Sequence, residues 1–199
     1  MQRRPRNDPE AVVLRGRYDQ LSIGEGQDGA PVRWGRWDGQ TLAVEYLEGD
    51  LALMSVSPSG ERLMSVTHEQ DTLAVRDTGG SVLEGLVWDA ETAVPRHPDA
   101  EPGNDEALPY WDWAGGFLDE TTLIGSTVES DEEWGEGRHW IIGTSVPGTP
   151  VEVAYPVPVG TRPPTALGDG VWVTPSESGE ALYVWGLDQA ADGFIGSAR

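Results

Sequence analysis

The chain has 199 residues and a formal net charge of −21, from 34 acidic residues against 13 basic ones, all of them arginine. A field of that sign repels the phosphates of nucleic acids and anionic membrane surfaces, so neither is an expected partner. The chain contains no cysteine, which excludes disulfides and thiolate metal sites, whereas its nine tryptophans and five tyrosines indicate a folded protein.

The N-terminal segment MQRRPRNDPEAVVLRGRYD carries arginines, but no apolar run of signal-peptide type follows them. No segment of the sequence reaches the length of a transmembrane helix. We therefore expect a cytoplasmic protein. The absence of lysine, together with abundant Gly, Ala, Val and Asp, favours a GC-rich source genome such as that of an actinobacterium.

Short runs rich in β-branched and aromatic residues follow one another along the chain, each bounded by Gly, Pro, Asp or Ser. This pattern predicts an all-β fold. In chain order the runs are 11–18, 31–37, 41–47, 51–57, 62–68, 72–77, 81–88, 110–118, 121–128, 138–144, 151–157, 170–175 and 181–187. Strands at this spacing are typical of a sandwich, a barrel or a propeller.

Three segments repeat a strand, a tight turn and a second strand: SVSPSGERLMSVT, GGFLDETTLIGST and VTPSESGEALYVW. Their alignment places Leu63, Leu123 and Leu182 in register, at steps of 60 and 59 residues. Internal repetition of this kind favours a propeller. The stretches 89–107, 129–137 and 156–170 lie between the strand runs and are predicted to be long loops.

The segments Ser57–Asp77 and Thr174–Trp185 resemble the core of a WD40-type blade, and the whole chain is similar to small propeller-like proteins of actinobacteria. The resemblance implies an all-β fold with a small or incomplete β-propeller of about four degenerate blades. One domain would span residues 10–188, with a disordered tail at 1–9 and a C-terminal tail at 189–199. A two-sheet β-sandwich is the alternative.

The sequence departs from the WD40 pattern in two respects. No Gly-His dipeptide precedes a blade, and Val75-Arg76-Asp77 stands where Trp-Asp is expected. The Asp–His hydrogen-bond network of the family is therefore not carried over. An incomplete ring would leave blade edges without partners, which predicts homo-oligomers that form through those edges.

Metal and cofactor sites are not expected. The three histidines show none of the spacings that bring metal ligands together. The one cluster of interest is His139 with Glu132, Glu133 and Glu136, where a carboxylate-rich loop at 129–137 would hold Ca²⁺ if it is not simply solvated.

A carbohydrate-active enzyme is the alternative to a binding protein. Paired carboxylates serve glycoside hydrolysis, and the sequence offers Asp112 with Glu132 or Glu133, flanked by Trp111, Trp113 and Trp134. The favoured interpretation of YWDWAGGFL is instead a strand whose alternate residues enter the core, with Asp112 directed outward or capping a turn. Ser126 lacks the flanking glycines of a nucleophile elbow.

Tryptophans and acidic loops lead us to expect binding rather than catalysis. The aromatic residues Tyr110, Trp111, Trp113, Trp134, Trp140, Trp172 and Trp185 are too many for all of them to be deeply buried. An exposed Trp rimmed by carboxylates is typical of an interface anchor. The predicted contact residues are Trp134, Asp131, Glu132 and Glu133, followed by Trp111 and Trp113. Their charge predicts a basic protein partner, for example a toxin covered by its inhibitor or immunity protein.

Overall fold

A computed structural model describes residues 11–15, 20–25, 32–98, 100, 108–129, 137–145 and 148–187 of the chain. They form four antiparallel sheets, here called blades 1 to 4. Blade 1 contains β1 (Ala11–Arg15), β2 (Gln20–Glu25), β3 (Val32–Trp37) and β4 (Leu42–Leu47), and blade 2 contains β5 (Leu51–Val56), β6 (Arg62–Thr67), β7 (Thr72–Asp77) and β8 (Val82–Asp89).

Blade 3 follows the short helix α1 (Ala90–Ala93) and contains β9 (Pro109–Phe117), β10 (Thr122–Glu129), β11 (Arg138–Gly143) and β12 (Val151–Glu152). Blade 4 contains β13 (Thr165–Gly168), β14 (Val171–Pro175) and β15 (Leu182–Gly186). In every blade each strand pairs with the next one along the chain. Four successive meanders of this kind define an all-β, incomplete propeller, as predicted, rather than a two-sheet sandwich.

Two turns with the same sequence pattern adopt the same structure. In the Ser57 turn, the backbone N–H of Gly60 donates to the Ser57 carbonyl, and the Ser57 hydroxyl accepts from the backbone N–H of Arg62. The Ser176 turn has the equivalent bonds from Gly179 and Ala181. Both glycines have a positive φ, near +78° and +73°, which a side chain would disfavour. The S-x-S-G-E pattern therefore specifies the turn locally.

The first strands of blades 2, 3 and 4 contact one another in turn: β5 contacts β9, and β9 contacts β13. Small residues permit this approach. A Cβ added to Gly116 of β9 would lie 3.0 Å from the Ser55 Oγ of β5 and 3.0 Å from the Ala166 Cβ of β13. The end at which these first strands begin is called the upper end below, and the opposite end is the lower end.

Three apolar cores lie between consecutive blades. The core between blades 1 and 2 contains Trp34, and the largest core, between blades 2 and 3, contains Trp88, Trp111 and Trp140. Trp172 and Trp185 belong to the core between blades 3 and 4. The abundance of tryptophan thus has a structural use, because large flat side chains fill the space between stacked sheets.

A diagonal hydrogen bond recurs in three blades, between a hydroxyl on the second strand and a donor on the third. The indole N–H of Trp140 donates to Thr127 Oγ1, and that of Trp185 donates to Thr174 Oγ1, both at 2.8 Å. In blade 2 the Nε of Arg76 donates to Ser65 Oγ at 2.9 Å. Arg76, which stands where a tryptophan was expected, therefore makes the same bond with a different donor.

The expected register of the three leucines holds for only two of them. Leu63 and Leu123 lie on the second strands of their blades and are fully buried. Leu182 lies on the third strand of blade 4 and is 69% exposed. The repeated hairpin turn occurs one strand later in blade 4, because β13 precedes it. This strand lies inside 156–170, which was predicted to be a loop.

Candidate functional site

Most of the predicted contact loop lies outside the described residues. This holds for Asp131, Glu132, Glu133 and Trp134, and for Glu136. The Ca²⁺ loop and the carboxylate pair with Asp112 therefore stay predictions. The flanking strands β10 and β11 are described, and the connection between them leaves from and returns to the upper end.

Trp111 is a core residue. Its ring is fully buried in the cluster between blades 2 and 3, and its indole N–H donates to the Trp88 carbonyl at 2.8 Å. The backbone of Trp111 is also held from both sides, because its N–H donates to the Gln70 carbonyl and its carbonyl accepts from Gln70 Nε2. Trp111 thus positions β9 against blade 2, and its ring offers no surface to a partner.

Trp113, two residues further along β9, is 49% exposed at the upper end. Its indole N–H donates to the Thr67 carbonyl at 3.1 Å, and its ring meets the His68 ring edge-on with 6.3 Å between centroids. Residues 111 and 113 have the same parity, so regular alternation would place both side chains on one face. The register between β9 and β10 shifts between Trp111 and Gly115, and Trp113 lies within that shift.

The surroundings of Trp113 are acidic. His68 Nδ1 lies 2.7 Å from Asp50 Oδ1, so this nitrogen carries the proton of the contact. Glu69 and Asp71 are exposed on the same turn as His68. The group Trp113, His68, Asp50, Glu69 and Asp71 is called the Trp113 patch below. Sequence reasoning found its tryptophan but missed the turn beneath it, which no local signal connects to β9.

Asp112 lies between the two tryptophans and is partly buried. Burial raises the pKa of its carboxyl group, although hydrogen bonds from the Trp113 backbone and from Ser126 act in the opposite direction. The Ser126 hydroxyl lies 3.5 Å from Asp112 Oδ2, on the neighbouring strand. The outward position expected for Asp112 is therefore replaced by one that is partly enclosed.

His139, opposite Ser126 on β11, is buried in the blade 3 sheet. Its Nδ1 lies 2.7 Å from the Tyr155 hydroxyl, which also accepts the indole N–H of Trp172 at 3.0 Å. Within the described chain its buried Nε2 has no hydrogen-bond partner. Burial lowers the pKa of His139 to about 4 and raises that of Tyr155, so both groups are neutral near pH 7.

Two features of the described residues bear on catalysis, namely the grouping of metal-ligating side chains and a pocket. Among the described residues, no group of three His, Cys, Asp or Glu side chains is placed to hold a metal ion. An open pocket of about 340 Å³ lies beside Trp88, lined by Gly85, Val87, Trp88, Thr92, Ala93, Gly148, Thr149 and Pro150. Since none of these side chains titrates near neutral pH, the pocket brings no acid or base to a substrate.

Comparison with solved structures finds β-propeller domains. The chain is similar to the β-propeller domain of Cps50 (Swd1) from Myceliophteria thermophila, with 15% identity and a TM-score of 0.45, over 89% of this chain and 49% of that one. It is also similar to the WD40 domain of coronin from Toxoplasma gondii, with 11% identity and a TM-score of 0.44, over 90% of this chain and 53% of that one. The chain spans about half the length of these structures.

No protein-family model matches the chain, and no curated protein matches it. Within the described residues, no helix has the length and apolar character needed to cross a bilayer.

Proposed function

We propose that the protein is a non-enzymatic interaction module that binds a basic protein through the Trp113 patch, together with the acidic segment 129–137. The observation that carries the proposal is the half-exposed ring of Trp113 on an inner strand, beside the carboxylates of Asp50, Glu69 and Asp71. An aromatic anchor with a charged rim is the composition of an interface centre.

The patch is supported by a rigid frame. Gln70 bonds the backbone of Trp111 in both directions, and the Trp113 indole is tied to Thr67. A contact residue that is already ordered loses little conformational entropy on binding, which favours affinity. The net charge of −21 attracts a basic partner and accelerates encounter at low salt.

The proposal has a finer form that rests on sequence alone. Trp134 with Asp131, Glu132 and Glu133 would extend the Trp113 patch, and the partner would be a basic toxin that this protein inhibits. The cytoplasmic location and the actinobacterial source belong to the same set of proposals.

The test is a pull-down of the tagged full chain from lysate of its host at about 0.05 M and 0.5 M NaCl. We expect a basic protein that is retained at low salt and lost at high salt, because screening weakens attraction between opposite charges. Trp113→Ala should reduce retention at least tenfold, as is usual for a central aromatic anchor. Trp37→Ala is the matched control, because Trp37 is 44% exposed but lies at the lower end.

Two results would contradict the proposal. One is an empty lane at both salt concentrations, and the other is equal retention by the Trp113→Ala and Trp37→Ala proteins. The second result would leave a basic partner in place but move its contact away from the Trp113 patch.

A carbohydrate-active enzyme is the second candidate, since the raised pKa of Asp112 and the adjacent ring of Trp113 suit a general acid beside a sugar-stacking side chain. Its test is a glycan-hydrolysis screen with the wild type and Asp112→Asn. Turnover by the wild type that Asp112→Asn abolishes would support it, and the absence of turnover on every glycan would remove it.

A further inference from the structure

The outer face of blade 4, turned away from blade 3, is apolar and open to solvent. Trp185 and Trp172 point toward blade 3, so residues of opposite parity face outward. On β15 these are Leu182, 69% exposed, and Val184, 39% exposed. Val184 pairs directly with Val173 of β14. The face thus centres on an aliphatic cross-strand pair that no described element of the chain covers.

Blades 2 and 3, which have a following neighbour, each bury an apolar cross-strand pair on the corresponding face. Met64 pairs with Val75 in blade 2, and Ile124 pairs with Ile141 in blade 3. Both pairs join the second strand to the third strand, and each lies buried under the next blade. Relative to the diagonal hydrogen bond, Val173 and Val184 occupy the positions of Met64 and Val75, which Ser126 and His139 occupy in blade 3. This face therefore has the composition of a blade that receives another blade.

Strand β4 of blade 1, at the other end of the chain of blades, also exposes apolar side chains. On β4, Leu47 enters the core toward blade 2, so the alternate residues Leu42, Val44 and Tyr46 face away from it. They are 43%, 46% and 57% exposed. The Arg33 guanidinium lies over the Tyr46 ring, 5.4 Å from its centroid. Exposure at both ends means that blades 1 and 4 do not cover each other.

We propose that two copies of this chain form one ring, in which the outer face of blade 4 of each copy packs on the outer face of blade 1 of the other. Propeller rings close with about four to eight blades. Within the described residues, the four blades of one copy leave both end faces uncovered. Two copies reach eight blades, and three copies exceed the range. Each new contact continues the blade-on-blade stacking already present within the chain.

Salt separates this self-association from the binding of a basic partner. Each copy carries a net charge of −21, so two copies repel each other at long range. Added salt screens that repulsion but does not weaken the apolar contact between the two faces. Association of the two copies should therefore strengthen with salt. Binding of a basic partner should instead weaken with added salt. The salt dependence therefore distinguishes failure of the self-association proposal from failure of the proposed function.

The first measurement is sedimentation velocity of the full chain over a wide range of concentrations, at about 0.05 M and 0.5 M NaCl. We expect a species of twice the chain mass that dissociates on dilution. In high salt, the protein concentration at which it dissociates should be lower than in low salt. A monomer at all concentrations, or open polymers larger than two copies, would overturn the proposal.

Two variants test the faces separately. Leu182→Asp and Tyr46→Asp each place a charge in the new contact, and each should weaken association by about a hundredfold or more. Both residues are more than half exposed in one copy, so the fold should tolerate the change. Val87→Asp is the matched control, because Val87 is 47% exposed on an outer strand that belongs to neither end face.

Mixing the two variants tests the head-to-tail geometry. In a mixed pair, one contact joins the unchanged blade 4 of Tyr46→Asp to the unchanged blade 1 of Leu182→Asp, so mixing should restore part of the association. If Leu182→Asp alone abolishes association while Tyr46→Asp does not, the copies join through two blade 4 faces and the proposed ring is wrong. No recovery on mixing would also contradict it.

Discussion

The interface between blades 2 and 3 and the one between blades 3 and 4 have the same stacking geometry but different chemistry. The first contains three tryptophans, and the indole N–H of Trp111 and of Trp140 each has a partner at 2.8 Å. The second contains a chain of polar groups, from Trp172 to Tyr155 to His139, which ends at a nitrogen without a described partner. The difference shows that the interface between blades 3 and 4 holds two titratable groups, His139 and Tyr155, whose burial keeps them neutral near pH 7.

The largest expected effect concerns Gly115, which allows β9 to approach its neighbours. Its φ is near +121°, and an added Cβ would lie 2.2 Å from the Ile124 carbonyl oxygen and 3.1 Å from the Met64 Cε. Gly115→Ala should lower the free energy of unfolding by about 4 kcal/mol or more, because a backbone atom cannot move aside as a side chain can. Urea denaturation measures the change.

The control for this prediction is Gly79→Ala, where the nearest atom is a side-chain oxygen of Asp77 at 3.3 Å. A loss at Gly115 no larger than the loss at Gly79 would show that β9 has room to shift.

The second prediction compares Trp111 with Trp113 on the same strand. Trp111→Ala should cost about 3–5 kcal/mol of stability, because it opens a cavity between blades 2 and 3 and leaves the Trp88 carbonyl without its donor. Trp113→Ala removes a half-exposed ring and one bond, and should cost about 1 kcal/mol. Equal losses in urea denaturation would be inconsistent with the assignment of Trp111 to the core and Trp113 to the surface.

The third prediction tests the polar interface between blades 3 and 4. The pKa of His139 is about 4 in the folded chain and near its ordinary value of 6.5 when unfolded. Between these values only the unfolded chain takes up the proton, so stability is fully present above pH 6.5 and decreases as the pH falls. Between pH 7 and pH 5 this residue alone should lower the free energy of unfolding by about 2 kcal/mol.

Denaturation of the wild type and His139→Gln at both pH values isolates the effect, since glutamine does not titrate. The variant should lose about 2 kcal/mol less than the wild type on acidification. Parallel losses would show that His139 is not buried in the neutral form.

The smallest expected effect is at the lower end, where Glu120 joins the turns of blades 2 and 3. Its carboxylate accepts from the backbone N–H of Ser59 and from the Ser59 hydroxyl, the latter at 3.0 Å. Glu120→Gln should cost about 0.5–1 kcal/mol, because the joint is solvent-exposed and the amide is a weaker acceptor. Thermal unfolding would measure it, with Glu61→Gln as the control from the neighbouring turn. A larger loss at Glu61 would contradict the assignment.

Strand positions and turns were largely predictable because they depend on local chemistry. The S-x-S-G-E turns at Ser57 and Ser176, and the hairpins around them, follow from alternation and from glycine at a positive φ. The four-blade organisation followed from the repetition of such hairpins. The strand β13 was missed, because its four residues in a Pro-rich stretch show too little alternation to be distinguished from a loop.

The site was predictable only in part. Trp113 is recognisable in the sequence as an aromatic residue beside an acidic one. Its position against the Thr67–Asp71 turn depends on contacts between residues more than forty positions apart in the sequence. The aromatic residues are not all deeply buried, as expected, since Trp113 is 49% exposed. The interior between the blades nevertheless buries four of the tryptophans to at most 1% exposure, namely Trp111, Trp140, Trp172 and Trp185.

The sequence by itself determined that this chain is all-β, acidic and built from repeated hairpins, because alternation and turn residues act over a few positions. Only the tertiary structure decided which side of each strand is covered. Leu63 and Leu182 follow the same turn, yet one is buried and the other exposed, because the second has a different place in its blade. Burial in a propeller depends on the neighbouring blade, and that neighbour is distant in the chain.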